Sequence, residues 1–322
     1  MPTLLSRLKS CVAGIFGVIA VSGALAQAPL SNDETPGWYR MKLGAFEITA
    51  LSDGTLELPV DKLFPKVDPG RIRSLLARSY LSSNVPLSVN AFLVNTGTRL
   101  VLIDTGTGTS QMFGPKLGKL LANLRASGYS ADQVEEIYLT HLHTDHIGGL
   151  LREGQPSFPN ATIRADAREA AHYLSADKMN GAPADEREDY ESAIAIFKPY
   201  LASGKFKPFD GATQLIPGVR ALPAPGHTPG HTIYIVESGG ERMLVWGDLM
   251  HVAAVQFPLP SATFQTEWST KQSARQRQTV FADAASHGDY VAAAHVAFPG
   301  IGKLRASGDG YAWVPVSYIF GK

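Results

Sequence analysis

Two apolar runs in this chain end in the same way. "RLVLIDTG" (residues 99–106) and "RMLVWGD" (residues 242–248) each carry a β-type stretch into an aspartate beside a glycine. Such a strand end, recurring in the second half of the chain, constrains the fold to a duplicated unit. In the first half, "LSVNAFLVNTGTRLVLIDTG" reads as a hairpin with Gly97 at its turn. In the second, "VRALPAPGHTPGHTIYIVESGGERMLVWGDLM" reads as strand, loop, strand, Gly-Gly hairpin and strand. "AFEITALSDG" alternates and ends in a turn, which predicts a first strand, and "VEEIYLT" predicts a short buried one. Residues 115–127 have apolar side chains at helical spacing and stop at Gly128. "DAREAAHYLSA", capped by Asp166, predicts a helix; "DEREDYESAIAIFKPYL" predicts another, halted near Pro199. Residues 267–287 are helical in pattern, and "DYVAAAH" is a last short strand. Helices and strands interleave in both halves without a low-complexity linker. The expectation is α/β, one domain over residues 41–322 made of two similar halves.

The N-terminus stands apart. Arg7 and Lys9 precede an apolar run, and "ALAQA" has the small-residue pattern that signal peptidases read, so residues 1–26 are expected to be a cleaved secretion signal. Residues 27–40 then form a loose leader, and the protein is expected in the periplasm or outside the cell. The apolar run is shorter than the ~20 residues of a membrane span, so no membrane association is expected after cleavage. Export also changes how cysteine is read. The only one, Cys11, lies within the signal, which leaves the mature chain no disulfide and no thiolate ligand. Of 29 basic and 29 acidic residues, Arg7 and Lys9 would be lost, leaving 27 against 29. A net charge near −2 excludes the basic excess that nucleic acid or an anionic membrane requires. Histidine, aspartate and glutamate remain as the strong metal ligands.

Three of the chain's nine histidines fall within "HLHTDH", residues 141–146, so the segment needs a chemical reason. On a helix His141 and His143 would face apart; at the end of a strand, residues two apart share a face. A turn could then bring Asp145 and His146 to a neighbouring point, giving two ligand pairs and suiting two metal ions. A merely solvated loop would not leave a buried strand and re-enter the apolar "IGGLL". Each ion needs about four ligands, or three and a water. His227 in "PAPGHTPGH", Asp248 in "LVWGDLM" and His295 in "VAAAHVAFPG" each follow an apolar β-run, where a sheet edge would present them together. A carboxylate at Asp248 could bridge two metals.

With His141, His143, Asp145, His146, His227, Asp248 and His295 in this order, the chain resembles the metallo-β-lactamase superfamily over nearly its whole mature length. The resemblance implies an αββα sandwich of two internally similar halves, with two metals at the sheet edge. It implies that His141, His143 and His227 hold the first, Asp145, His146 and His295 the second, and that Asp248 bridges them. Asp104 matches a position that orients the cluster loop, and His231 reads as a structural support beside the ligands. Two divalent ions, zinc foremost, would share a hydroxide that attacks a carbonyl or phosphoryl centre, with Asp145 accepting the proton and Asp248 as the second catalytic carboxylate.

A narrower likeness, to the methyl parathion hydrolase and dihydrocoumarin lactonase branch, rests on the signal, the "SVNAFLVNTG" hairpin and the "HVAFPGIG" tail. It places Phe113, Tyr173 and Tyr190 in a substrate pocket, where two tyrosines would make the walls polar, and His251 at its rim. Ordinary helix-face aromatics are the other reading of those three. His172 and His287 read as surface helix residues. The expected activity is opening of lactones or cleavage of aryl esters, with phosphotriesters as a side activity; the partner is a small molecule, and the resemblance implies a homodimer. The alternatives are an iron-dependent redox enzyme of the same fold, such as a persulfide dioxygenase, and a thioester hydrolase of the glyoxalase II type.

Overall fold

The computed structural model describes residue 30 and residues 35–318, apart from 111 and 185. The expected signal, residues 1–26, lies outside the described residues. Fifteen strands are seen: β1 (Trp38–Leu43), β2 (Phe46–Pro59), β3 (Asn84–Asn95), β4 (Leu100–Ile103), β5 (Glu136–Tyr138), β6 (Leu151–Arg152), β7 (Gln155–Pro156), β8 (Thr162–Arg164), β9 (Thr213–Ile216), β10 (Val219–Pro223), β11 (Thr232–Ser238), β12 (Glu241–Val245), β13 (Tyr290–Ala292), β14 (Ile301–Ser307) and β15 (Gly310–Pro315). Eight α-helices accompany them among the described residues: α1 (Pro69–Arg78), α2 (Leu120–Ala126), α3 (Thr144–Ile147), α4 (Ala167–Tyr173), α5 (Ala176–Gly181), α6 (Arg187–Ala202), α7 (Ala253–Gln256) and α8 (Thr270–His287). None of the described helices is long and apolar enough to cross a membrane.

Thirteen of these strands form two sheets, ordered β1-β2-β3-β4-β5-β8 and β15-β14-β13-β12-β11-β10-β9, and β6 and β7 pair separately. Period-two alternation divides each strand between two environments. Phe92 and Val94 of β3, Val101 and Ile103 of β4, Tyr234 and Val236 of β11, and Met243 and Val245 of β12 fill one core between the sheets. Their neighbours Leu93 and Leu102 face a second core with Leu120, Leu124 and Phe197 of the helices. Ile233, Ile235 and Leu244 meet Val280 and Phe281 of α8 in a third. The layers are therefore helix, sheet, sheet, helix, the expected αββα sandwich.

The two halves match in pairing as well as in sequence. β3 and β4 are antiparallel and β4 and β5 parallel; β11 and β12 are antiparallel and β12 and β13 parallel. Asp104 follows β4 where Asp248 follows β12, and His141 follows β5 where His295 follows β13. Parallel neighbours end on the same side, so all four residues arrive at one edge of the sandwich.

Several local expectations change. "SDG" is no turn: β2 continues to Pro59 through a bulge at Ser52/Gly54. The buried Asp53 carboxylate at this bulge accepts from Thr107 N–H and Oγ1 and from the amides of Gly118 and Leu120. Those bonds, with Gly118 at φ +81°, delay the helix expected from residue 115 to Leu120. α6 runs through Pro199 to Ala202. The leader is not loose to its end, because Trp38–Arg40 already pair in β1. α1, α5, α7, β14 and β15 had no clear signal in the pattern.

Candidate metal centre

The cluster segment leaves β5 differently from the strand end expected. β5 stops at Tyr138, residues 139–143 are irregular, and Thr144–Ile147 form the single helical turn α3. The side chains converge nonetheless. His143 Nδ1 lies 3.0 Å from His141 Nε2 and 3.0 Å from His227 Nε2. Asp248 Oδ2 stands 3.3 Å from His227 Nε2 and 3.7 Å from His141 Nε2. Its other oxygen, Oδ1, is 3.1 Å from both His146 Nε2 and His295 Nε2. Asp145 Oδ2 closes that group at 3.4 Å from His146 and 3.5 Å from His295. The structure thus assembles all seven predicted residues as two four-atom groups that share the Asp248 carboxylate.

The geometry fits a metal in each group. Ligand atoms at 2.0–2.2 Å from a tetrahedral ion stand about 3.3–3.6 Å from one another; the pairs given above stand 3.0–3.7 Å apart, and all atoms of a group lie within 4.8 Å. His146 Nε2 and Asp248 Oδ1 are buried without a well-formed hydrogen bond, although 3.1 Å apart. Burial, with the charge of His146 next, holds His141 well below the ordinary histidine range, and burial and His227 push His143 down to about 3. Both rings are neutral donors. Burial opposes a charge on His227, but Asp248 and Glu267 overcome it and lift the ring to about 10. The carboxylates call for positive charge here, which a divalent ion would supply while displacing the proton.

Four of the five histidines of the two groups have a hydrogen-bond partner for the other nitrogen, which fixes the ring. His146 Nδ1–H donates to Asp104 Oδ2 at 2.8 Å. Asp104 also accepts from Thr140 N–H and Oγ1, both at 2.8 Å, and Thr140 Oγ1 accepts from His141 Nδ1–H at 3.1 Å. Asp104 therefore serves both groups, from a left-handed backbone position at φ +62° where β4 ends. His143 Nε2–H donates to Tyr173 Oη at 2.8 Å, and His295 Nδ1–H donates to the Ser88 carbonyl at 2.9 Å. His227 Nδ1 faces Glu267 Oε2 at 3.6 Å. His231 donates Nδ1–H to the Ala224 carbonyl and accepts the Asp248 N–H at Nε2, 3.0 Å, so it sets the backbone of the shared carboxylate.

A cavity of about 670 Å³ opens over both groups. Phe113, Tyr173, Tyr190 and His251 all line it. His251 is not at the rim: it is buried, its ring stacks on Phe264 at 4.4 Å, and its Nε2 is 3.1 Å from Asp248 Oδ2. His172 also departs from its surface assignment. It is half-buried, lines the cavity and lies 2.7 Å from Tyr190 Oη, because α4 turns that face inward. His287 is exposed at the end of α8. Sequence reasoning missed Thr140, Glu169, Glu267 and Arg277. Thr140 adjoined the motif and could have been weighed, whereas the other three look like ordinary helix or loop polar residues until the fold buries them.

Comparison with known proteins agrees with this architecture. A sequence profile described as "Metallo-beta-lactamase superfamily" matches residues 84–279. A probable metallo-hydrolase of Mycobacterium tuberculosis (strain ATCC 25618 / H37Rv) is 27% identical over 207 residues, covering 58% of this chain and 64% of that protein. The chain thus spans less than two thirds of the length of the curated relatives it matches first. The hydrolase AbOPH, a crystal structure placed in the beta lactamase superfamily, is 35% identical with a TM-score of 0.84, covering 89% of this chain and 100% of that one. AidC, a dizinc quorum-quenching lactonase in complex with a product N-hexanoyl-L-homoserine, is 27% identical with a TM-score of 0.81, covering 88% and 98%. With the duplicated sandwich, the seven converging side chains and the profile match all in place, the chain belongs to the metallo-beta-lactamase superfamily.

Proposed function

We propose that the protein is a metal-dependent hydrolase that opens lactones and cleaves neutral aryl esters. The observation that carries this reading is the pair of donor groups sharing Asp248 at the floor of the cavity. Two divalent ions held there, zinc being the expected metal, would act as Lewis acids and bring the pKa of a bound water to about 7. The remaining work falls to the chain. Asp145 is the more open of the two carboxylates, its side chain 13% exposed against 4% for Asp248, so it is placed to accept the proton released from the attacking water. Asp248 is held at its backbone by His231, has His251 Nε2 beside its Oδ2 on the cavity side, and keeps the two groups in register.

The walls favour a neutral substrate. Asp145, Glu186, Asp189, Asp248 and Glu267 line the cavity, while no lysine or arginine does among the described residues. A glutathione thioester, with its two carboxylates, finds no basic clamp, which weighs against the glyoxalase II type. Leu56, Leu58, Leu63, Leu87 and Phe264 offer an apolar wall for an acyl or aryl arm. AidC, a lactonase by its description, supports placing lactones first. Phosphotriesters rank behind them because the Tyr173 and Tyr190 hydroxyls make the opposite wall polar.

The test is a screen of metal-replete protein over lactones, aryl esters and phosphotriesters, beside elemental analysis. Lactone opening with about two zinc ions per chain is expected, and His143→Ala should remove more than about 99% of it, since a direct ligand exceeds the 10–100-fold cost of an outer partner. Failure to open any lactone or activated ester would overturn the reading, as would an active His143→Ala. Bound iron with oxygen uptake would move it to redox chemistry. We also propose that the protein acts outside the cytoplasm. The protein recovered from cells should then begin at Gln27, and an intact mass retaining residues 1–26 would contradict this.

A further inference from the structure

Helix α4 does more than cover the outer face of the first sheet. Residues one turn apart on a helix share a face, and α4 presents Glu169 and Tyr173 to the site from one such face. Glu169 is fully buried, accepting the Leu142 N–H at Oε1, 3.1 Å, and the Gly230 N–H at Oε2, 2.7 Å. Leu142 stands between His141 and His143, and Gly230 lies three residues past His227. One carboxylate therefore ties together the two segments that deliver the three-histidine group. The second segment is seated directly on the helix: a Cβ at Gly230 would stand 2.4 Å from the Glu169 amide nitrogen. Four residues on, Tyr173 Oη takes the outer nitrogen of His143 at 2.8 Å. The other group is held elsewhere, His146 by Asp104 and His295 by the Ser88 carbonyl. Among the described residues, no hydrogen bond joins α4 to Asp145, His146 or His295.

We infer that α4, through Glu169 and Tyr173, is a positioning element of the His141–His143–His227 group and not of the other, a selective hold added to the Asp104 and Asp248 contacts that the two groups share. This rests on the reading that both groups bind metal. Glu169 sets the spacing of the two loops and Tyr173 fixes the tautomer and tilt of the His143 ring, the contribution that outer partners make to affinity.

The test is binding of zinc and of cobalt by the full chain, resolved into two steps by chelator competition and by the cobalt absorption spectrum. Tyr173→Phe keeps the ring and removes only Oη. It should weaken one step by about 10-fold or more, alter the cobalt spectrum of that site, and leave the other step within about twofold. Tyr190→Phe, whose hydroxyl meets His172 and no ligand, should leave both affinities in place. Glu169→Gln, which confronts one N–H with an amide group, should produce the same selective loss; if it fails to fold, Tyr173→Phe alone decides. Two unchanged steps in Tyr173→Phe, or two equally weakened ones, would overturn the inference. A wild-type chain binding fewer than two ions would instead overturn the binuclear reading beneath it.

Discussion

Asp248→Ala should abolish hydrolysis and reduce the bound metal below one ion per chain. Its carboxylate is the side chain that the two donor groups share, Oδ2 facing His141 and His227 and Oδ1 facing His146 and His295. Alanine leaves three histidines with no anion in one group and two with Asp145 in the other, and neither keeps the carboxylate that joins them. The loss should exceed about 100-fold, the upper end for partners outside the ligand set. Asp248→Asn separates the two halves of the claim. An amide keeps the shape and one acceptor oxygen but turns an NH₂ toward the other group, so about one ion per chain should remain. Elemental analysis and lactone kinetics on the same preparations check both. An Asp248→Ala protein that retains two ions would remove the bridge from the account.

Arg277→Met should cost about 3–5 kcal/mol of stability, the range for breaking a buried ion pair by removing one partner. Arg277 is wholly buried on α8. Its Nη2 donates to Glu267 Oε1 at 2.7 Å and Ser273 Oγ at 2.9 Å, its Nε to the Leu249 carbonyl at 2.7 Å, and its Nη1 to the carbonyls of Pro260 and Ala262. One guanidinium thus fastens α8 to the loop after Asp248 and to the segment carrying Phe264 and Glu267. Methionine fills much of the volume but strands the Glu267 Oε1 atom and the Leu249 and Pro260 carbonyls, the Ala262 carbonyl keeping Gln256 Nε2. Arg277→Lys should recover little, since an ammonium cannot reproduce the planar fork. The double variant with Glu267→Gln should be less damaged than Arg277→Met because the carboxylate that Arg277 neutralised is gone with it. Urea unfolding resolves these differences, and a change below about 1 kcal/mol would refute the assignment.

The same pair sets an acid limit. Burial alone would raise the Glu267 carboxyl, but His227 and Arg277 overcome it and hold the group at about 2, below its ordinary 4.5. A carboxyl whose folded-state value is depressed contributes stability above the unfolded value and loses it as pH falls toward the folded one. Stability from this site should therefore drain between about pH 4.5 and 2.

How much of this was legible in the chain depends on the range of the signal. Alternating strands such as "AFLVN" and "MLV" declare which side is core, and the repeated aspartate after a strand declares the duplication. The seven candidate ligand positions were readable because the "HLHTDH" cluster and three later residues at the ends of apolar β-runs occur together. Where the reading failed, a distant residue had intervened. Asp53 captures two amides of residues 118–120 and shortens a helix whose own periodicity begins at 115. His172 was assigned to the surface because a helix does not announce which face its neighbours will cover; α6 brings Tyr190 to it.

By itself, then, the sequence determined the layered architecture and named the seven side chains that converge, since the one rests on local periodicity and the other on the order of histidines and aspartates along the chain. Only the tertiary structure decided what holds those groups still. Glu169 meets residues 27 and 61 positions away, Arg277 one 28 positions away, and His295 one 207 positions away. A hydrogen bond across such a span depends on where two sheets and their helices dock, and buried polar groups acquire their partners only when that docking removes water from them.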